Sequence, residues 1–127
     1  MGYAARMRFS PEDLAVLGST EEVEIETHSP DGALHRTIIW IAVDGTDVFV
    51  RSVRGRSGRW YREASARPAV AIHVGGRRLP AVAAPAHEPD AVRRASEALA
   101  RKYADDPSMP SMLRDDVLDT TLRLDAA

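Results

Sequence analysis

Three tight-turn signals constrain this chain more than any other feature. Ser29-Pro30-Asp31-Gly32, Asp44-Gly45 and Gly75-Gly76 each separate apolar runs within 127 residues. Turns this short join antiparallel strands, because a parallel return needs a crossover of about a dozen residues or more. Val23 and Ile25 alternate with glutamates, as on a half-buried strand whose acids (Glu21, Glu22, Glu24, Glu26) form a solvated face. "RTIIWIAV" (36–43) is apolar at nearly every position, so it reads as one strand covered on both faces. "DVFVRS" (47–52), "AVAIHV" (69–74), "RLPAVAA" (78–84) and "TTLRLDA" (120–126) complete a set of six strands. Pro80 places its strand at an edge or makes the first residues irregular.

Helices punctuate this order. Ser10 as N-cap, Pro11 at the first position and Glu12 and Asp13 in the first turn predict a helix over about 11–18. "GRWYREASAR" reads as a short helix stopped by Pro68. Glu88 to Ala104 is the longest, with Val92, Ala95, Leu99 and Tyr103 on one stripe. Met109 and Met112, beside Pro107 and Pro110, line a lid over a ligand or fill a gap. The reading is a single domain, 1–127, mainly β with flanking helices (α+β): a six-stranded antiparallel barrel, closed or partly closed, over about 22–125. The second and third strands, 36–43 and 47–52, are both apolar on two faces, and one face of each fills the barrel. The other needs a helix, a planar ligand or a second subunit, so a homodimer is expected.

Composition narrows the chemistry. There is no cysteine, which excludes disulfides and thiolate catalysis and fits a cytoplasmic location. A net charge of -2 gives no global pull toward nucleic acid or an anionic membrane. The opening residues lack the apolar run of a secretory signal, no stretch is long enough to span a bilayer, and Gly2 has no supporting context for myristoylation. The four histidines (His28, His35, His73, His87) lack metal-ligand spacing, so no metal is expected.

Against that acidic background, "RSVRGRSGRWYR" (51–62) gathers five arginines, two glycines and a Trp-Tyr pair. Arg51 and Ser52 end a strand, Arg54 to Gly58 form a loop and Arg59 begins a helix. A helix N-terminus presents unpaired N–H groups and partial positive charge to an anion. Gly55 and Gly58 allow close backbone approach or positive φ. Arg54 and Arg56 offer planar forks for phosphate oxygens, and Ser57 a hydroxyl. Trp60 stacks an aromatic ring or anchors the core. The pattern reads either as a phosphate cradle or as a solvated loop; it lacks the Gly-x-x-x-x-Gly-Lys motif of ATP and GTP sites.

The ordered set "TIIWIAVDGTDVFVRSVRGRSGRWYR", "ARPAVAI", "RKYADD" and "TTLRL" resembles domain of unknown function family 2255, most specifically through Trp40, Arg51-Ser52, Gly55, Trp60-Tyr61 and Lys102-Tyr103. That family looks like a branch of the FMN- and deazaflavin-binding split barrels, with the pyridoxamine-phosphate oxidases and the deazaflavin-dependent nitroreductase-like proteins. The resemblance implies a dimeric pyridoxamine-phosphate oxidase-like split barrel with a cofactor at the rim. Its phosphate would contact Arg51, Ser52, Arg54, Gly55, Arg56 and Ser57. Its ring would lie near Thr37 to Trp40, with Trp60 close by. The function implied is hydride transfer from FMN or the deazaflavin coenzyme F-420 to a small acceptor such as an activated alkene or nitro group, with Tyr61, His73, Tyr103 or water as proton donor. The alternative is a binding module that holds a flavin, haem or phosphorylated small molecule without turnover. RNA binding is disfavoured by the net acidity and the single arginine cluster.

Overall fold

A computed structural model describes residues 7–127; Gly2 lies outside the described residues. In chain order the elements are α1 (Pro11–Ser19), β1 (Val23–His28), β2 (Leu34–Ile39), β3 (Ile41–Asp44), β4 (Asp47–Val50), α2 (Arg59–Ala66), β5 (Ala69–Val74), β6 (Arg77–Pro85), α3 (Pro89–Lys102), α4 (Asp115–Leu118) and β7 (Leu122–Ala126). Short 3-10 turns occupy Gly55–Ser57 and Met109–Leu113. Ser10 caps α1 as expected, its Oγ accepting the Asp13 N–H at 3.1 Å.

The strands form one sheet in the order β2-β1-β5-β6-β7-β4-β3, with every neighbouring pair antiparallel. There are seven strands, not six. The run expected as one strand over 36–43 breaks at Trp40: β2 pairs with β1 at one end of the sheet, and β3 with β4 at the other. Trp40 is therefore the corner at which the chain crosses between the two edges, and it curls the sheet into a half-barrel. The edges meet through this covalent corner rather than through a hydrogen-bonded ladder.

Lys102 and Tyr103 hold the corner. The Tyr103 hydroxyl accepts the Ile41 N–H at 3.2 Å and donates to the Glu21 carbonyl. Lys102 Nζ donates to the Ile41 and Leu17 carbonyls at 2.7 and 2.8 Å. The Tyr103 ring stacks on Trp40 with centroids 4.0 Å apart and planes 4° from parallel. Burial lowers the Lys102 ammonium to about 8 and raises the Tyr103 phenol to about 12.

The barrel interior is filled by Ile25, Ile41, Val48, Val50, Ile72, Leu122 and Leu124, closed by Trp60 and Ala64 of α2. Coverage on both faces holds for β3, where Ala42 packs under Ala98 and Leu99 of α3. It does not hold for β2: Leu34 is 55% exposed and Ile38 61%. The acidic face of β1 also differs from expectation. Glu24 pairs with Arg36, but Glu26 is buried and receives Arg78 Nη2 at 2.6 Å and His73 Nε2 at 2.8 Å. β6 is an interior strand, yet β7 pairs with it only from Ala81 onward. Pro80 thus sits in the one-sided segment, where its missing N–H leaves no gap in a ladder with β7.

Candidate functional site

The arginine loop is built on its own side chains. β4 stops at Val50, and Arg51 and Ser52 turn the chain into the loop. Gly55 has φ +66°, which reverses the backbone, and a Cβ there would also stand 3.2 Å from the Asp116 carbonyl oxygen. At Gly58 a Cβ would meet Ser52 Oγ at 2.5 Å, so this glycine permits close approach of protein rather than of ligand. Ser52 is buried, its N–H donating to Thr120 Oγ1 and its hydroxyl to the Gly55 carbonyl. Ser57 Oγ donates to the Arg54 carbonyl, and Arg56 pairs with Asp119. Arg54 extends into solvent from this rigid base. Gly58 supplies no side chain to cap α2.

Arg51 lies beneath. It is 1% exposed, and among the described residues its hydrogen-bond partners include no carboxylate. Its Nε donates to Thr121 Oγ1 (2.9 Å), Nη1 to Ser96 Oγ and the Met112 carbonyl (both 2.9 Å), and Nη2 to the Val92 carbonyl (3.1 Å). Burial lowers its pKa to about 10, still well above neutrality, so the group remains a cation enclosed by neutral acceptors.

That cation forms part of the wall of a 340 Å³ cleft at the Trp40 corner. The half-buried Trp40 and the largely buried Trp60 line it with Ile38, Ile39 and Val53, and Glu22, expected on a solvated strand face, adds a carboxylate to the wall. Ser108, Ser111 and Met112 close the side formed by the Met109–Leu113 turn. Trp60 packs edge-on to Tyr61, at 6.3 Å and 83°. The volume and the mixture of apolar walls with a few polar groups suit a small planar ligand.

The structure brings Trp40, Arg51 and Trp60 together on this cleft; Thr37, Ser52, Arg54, Gly55, Arg56 and Ser57 are not among its lining residues, and the last four stand on the loop that follows Ser52 and Val53. Thr37 stands on β2, its Oγ1 3.5 Å from Arg59 Nη2. The three suggested proton donors do not line the cleft. The Tyr103 hydroxyl is committed to the corner, Tyr61 rests against Trp60, and His73 is two strands away on Glu26. Ser108 and Ser111 were not singled out by sequence reasoning. The adjacent Met109 and Met112 were the available signal; Met112 turns out buried under the corner, packed with Leu99 and Tyr103. Among the described residues, no three His, Asp or Glu side chains gather as a metal site, and no helix is long and apolar enough to cross a membrane.

The profile of DUF2255, described as "uncharacterized protein conserved in bacteria", matches residues 13–124. The chain belongs to the DUF2255 family. Comparison with curated proteins found none that matches it. Several solved structures share the fold of this DUF2255 protein. A putative pyridoxamine 5'-phosphate oxidase from Listeria innocua is 15% identical, with 91% of this chain and 90% of that one covered and a TM-score of 0.61. HutZ, the haem storage protein from Vibrio cholerae, is 15% identical over 95% and 92%, with a TM-score of 0.66. An F420-H2 dependent reductase (FDR-A) is 14% identical over 81% and 92%, with a TM-score of 0.61. At these identities the likeness establishes the split-barrel fold.

Proposed function

We propose that this DUF2255 protein is a cytoplasmic oxidoreductase that binds FMN or the deazaflavin F-420 and works as a homodimer. The observation that carries the reading is the cleft lined by Trp40, Trp60 and a buried guanidinium whose hydrogen-bond partners among the described residues include no carboxylate. Aromatic faces suit a tricyclic ring, and the Arg51 charge favours a ring that gains negative charge on reduction. In this reading Thr37 hydrogen-bonds the ring edge, and Arg54, Arg56 and Ser57 hold the phosphate, with Gly55 setting the loop's turn. The uncapped start of α2 adds N–H donors. When bound, such a cofactor supplies hydride transfer to a small organic acceptor. The protein orients the ring, excludes bulk water with Met112 and Val53, and leaves the proton to water, because the Tyr103 hydroxyl is already committed. The exposed Leu34 and Ile38 give a second subunit an apolar surface that adjoins the cleft.

A specific observation also favours the second reading, a binding module for haem or a flavin without turnover: none of the three suggested proton donors lines the cleft. Calorimetric titration with FMN, F-420 and haemin, followed by a hydride-transfer assay with nitro and activated-alkene acceptors, separates the two. The oxidoreductase reading expects one flavin-type cofactor to bind and turn over. Binding without turnover on any acceptor favours the module, and binding of none removes both.

A further inference from the structure

We infer that a second binding site, for a small organic molecule carrying at least two negatively charged oxygens, lies in the cleft between the β1–β2 hairpin and α2. This cleft, 540 Å³ in volume, is distinct from the one at the Trp40 corner. Arg59 and Arg62 stand one turn apart on α2 and Arg67 lies just past its end, while His28 and His35 face them from the hairpin.

Two features set this cluster apart from ordinary surface charge. Among the described residues about half of the arginines are matched to carboxylates, as Arg36 is to Glu24, Arg78 to Glu26 and Arg94 to Asp44. Among the described residues, Arg59, Arg62 and Arg67 form no ion pair, although all three line one cavity. Secondly, the single carboxylate of the cleft is already occupied. Glu63 is 7% exposed; its Oε1 accepts the Thr27 hydroxyl at 2.8 Å, and both of its oxygens lie 3.1 Å from His35 Nδ1. Burial pushes the Glu63 carboxyl up, but the hydrogen bonds from Thr27 and His35, with the nearby charge of Arg59, together outweigh it, so the group stays ionised.

The consequence is a built geometry. A charged Glu63 takes its hydrogen bond from the N–H at His35 Nδ1, which leaves Nε2 without a protein partner. Asp31 of the hairpin turn is the next carboxylate, beyond His35; among the lining residues three guanidinium groups stand against one satisfied carboxylate, an excess of two positive charges. A ligand with two or more anionic oxygens balances them, whereas a singly charged one does not. Phosphate esters and polycarboxylates share this chemistry. The site adjoins the one in the flavin reading at the start of α2, where Arg59 Nη2 donates to Thr37 Oγ1 at 3.5 Å, but Arg62 and Arg67 belong to this cleft and not to that reading.

The test is isothermal calorimetry of the full chain with inorganic pyrophosphate and with citrate, at near-physiological salt. Wild-type protein is expected to bind at least one of them saturably. R62A/R67A, which removes two exposed side chains without protein partners, should weaken binding about tenfold or more. R54A/R56A should leave it unchanged. Tight pyrophosphate with weak citrate identifies phosphate esters as the class, and comparable affinities admit polycarboxylates. The inference is overturned if neither anion binds, if R62A/R67A binds as wild type does, or if R54A/R56A abolishes binding instead. It is equally overturned if only a single-stranded oligonucleotide engages these arginines.

Discussion

Arg51 shows how one side chain ties the cleft to the rest of the fold. Its four acceptors lie 41 to 70 residues away in sequence, on α3, the Met109–Leu113 turn and the approach to β7. Replacing it with methionine strands Thr121, Ser96 and two carbonyls in the interior. Arg51→Met is therefore expected to lose about 3 kcal/mol in urea denaturation. By contrast, Arg54→Ala with Arg56→Ala should change stability by less than about 1 kcal/mol while greatly weakening FMN or F-420 binding in calorimetry. Sequence reasoning found Arg51 as a charged residue at a strand end but not its burial, because its partners are distant in the chain. Glu26 was hidden for a related reason: alternation identifies a strand face, not the Arg78 and His73 that cover it. Arg78, against the opposing effect of burial and with help from His73, lowers the Glu26 carboxyl from 4.5 to about 2. Because the folded value is the lower one, this stabilisation is complete above pH 4.5 and disappears as pH falls toward 2. Thermal unfolding followed over that window should show a slope that Glu26→Gln flattens.

At the scale of elements, the decisive feature is the corner between β2 and β3. The turns, the α1 cap, α2 and the antiparallel hairpins were all legible, because each depends on neighbouring residues. The break at Trp40 was not, since an unbroken apolar run carries no mark of where one sheet edge ends and the other begins. The information sits in Lys102 and Tyr103, about sixty residues on (|i−j| 61 and 62 to Ile41). Tyr103→Phe leaves the Ile41 N–H and the Glu21 carbonyl without their hydroxyl partner, at an expected cost of about 1–2 kcal/mol. Lys102→Met should be at least as harmful, as it frees two carbonyls. Both variants are expected to shift tryptophan emission, because Trp40 stacks on the Tyr103 ring. An unchanged spectrum together with unchanged stability would contradict the role given to this pair.

At the scale of the whole molecule, a seven-stranded half-barrel presents β2 as an exposed edge with Leu34 and Ile38 outward. Light scattering at micromolar concentration is expected to give a dimer, and Ile38→Lys a monomer. A monomeric wild type would leave this apolar edge without an occupant. The fold could be anticipated as a small antiparallel barrel, and the arginine loop was correctly located in the chain. The cleft was only partly legible, because it is assembled from the corner, the start of α2 and a late 3-10 turn that meet only in three dimensions. The central claim is that a planar redox cofactor binds in the cleft that both indoles line. Trp40 and Trp60 are the chain's two tryptophans, and both line the cleft. Titrating the purified protein with FMN and with F-420 while following tryptophan fluorescence therefore reads the site itself. The account predicts saturable quenching by one of them, strongly reduced in the R54A/R56A protein; emission that neither cofactor quenches saturably would contradict it.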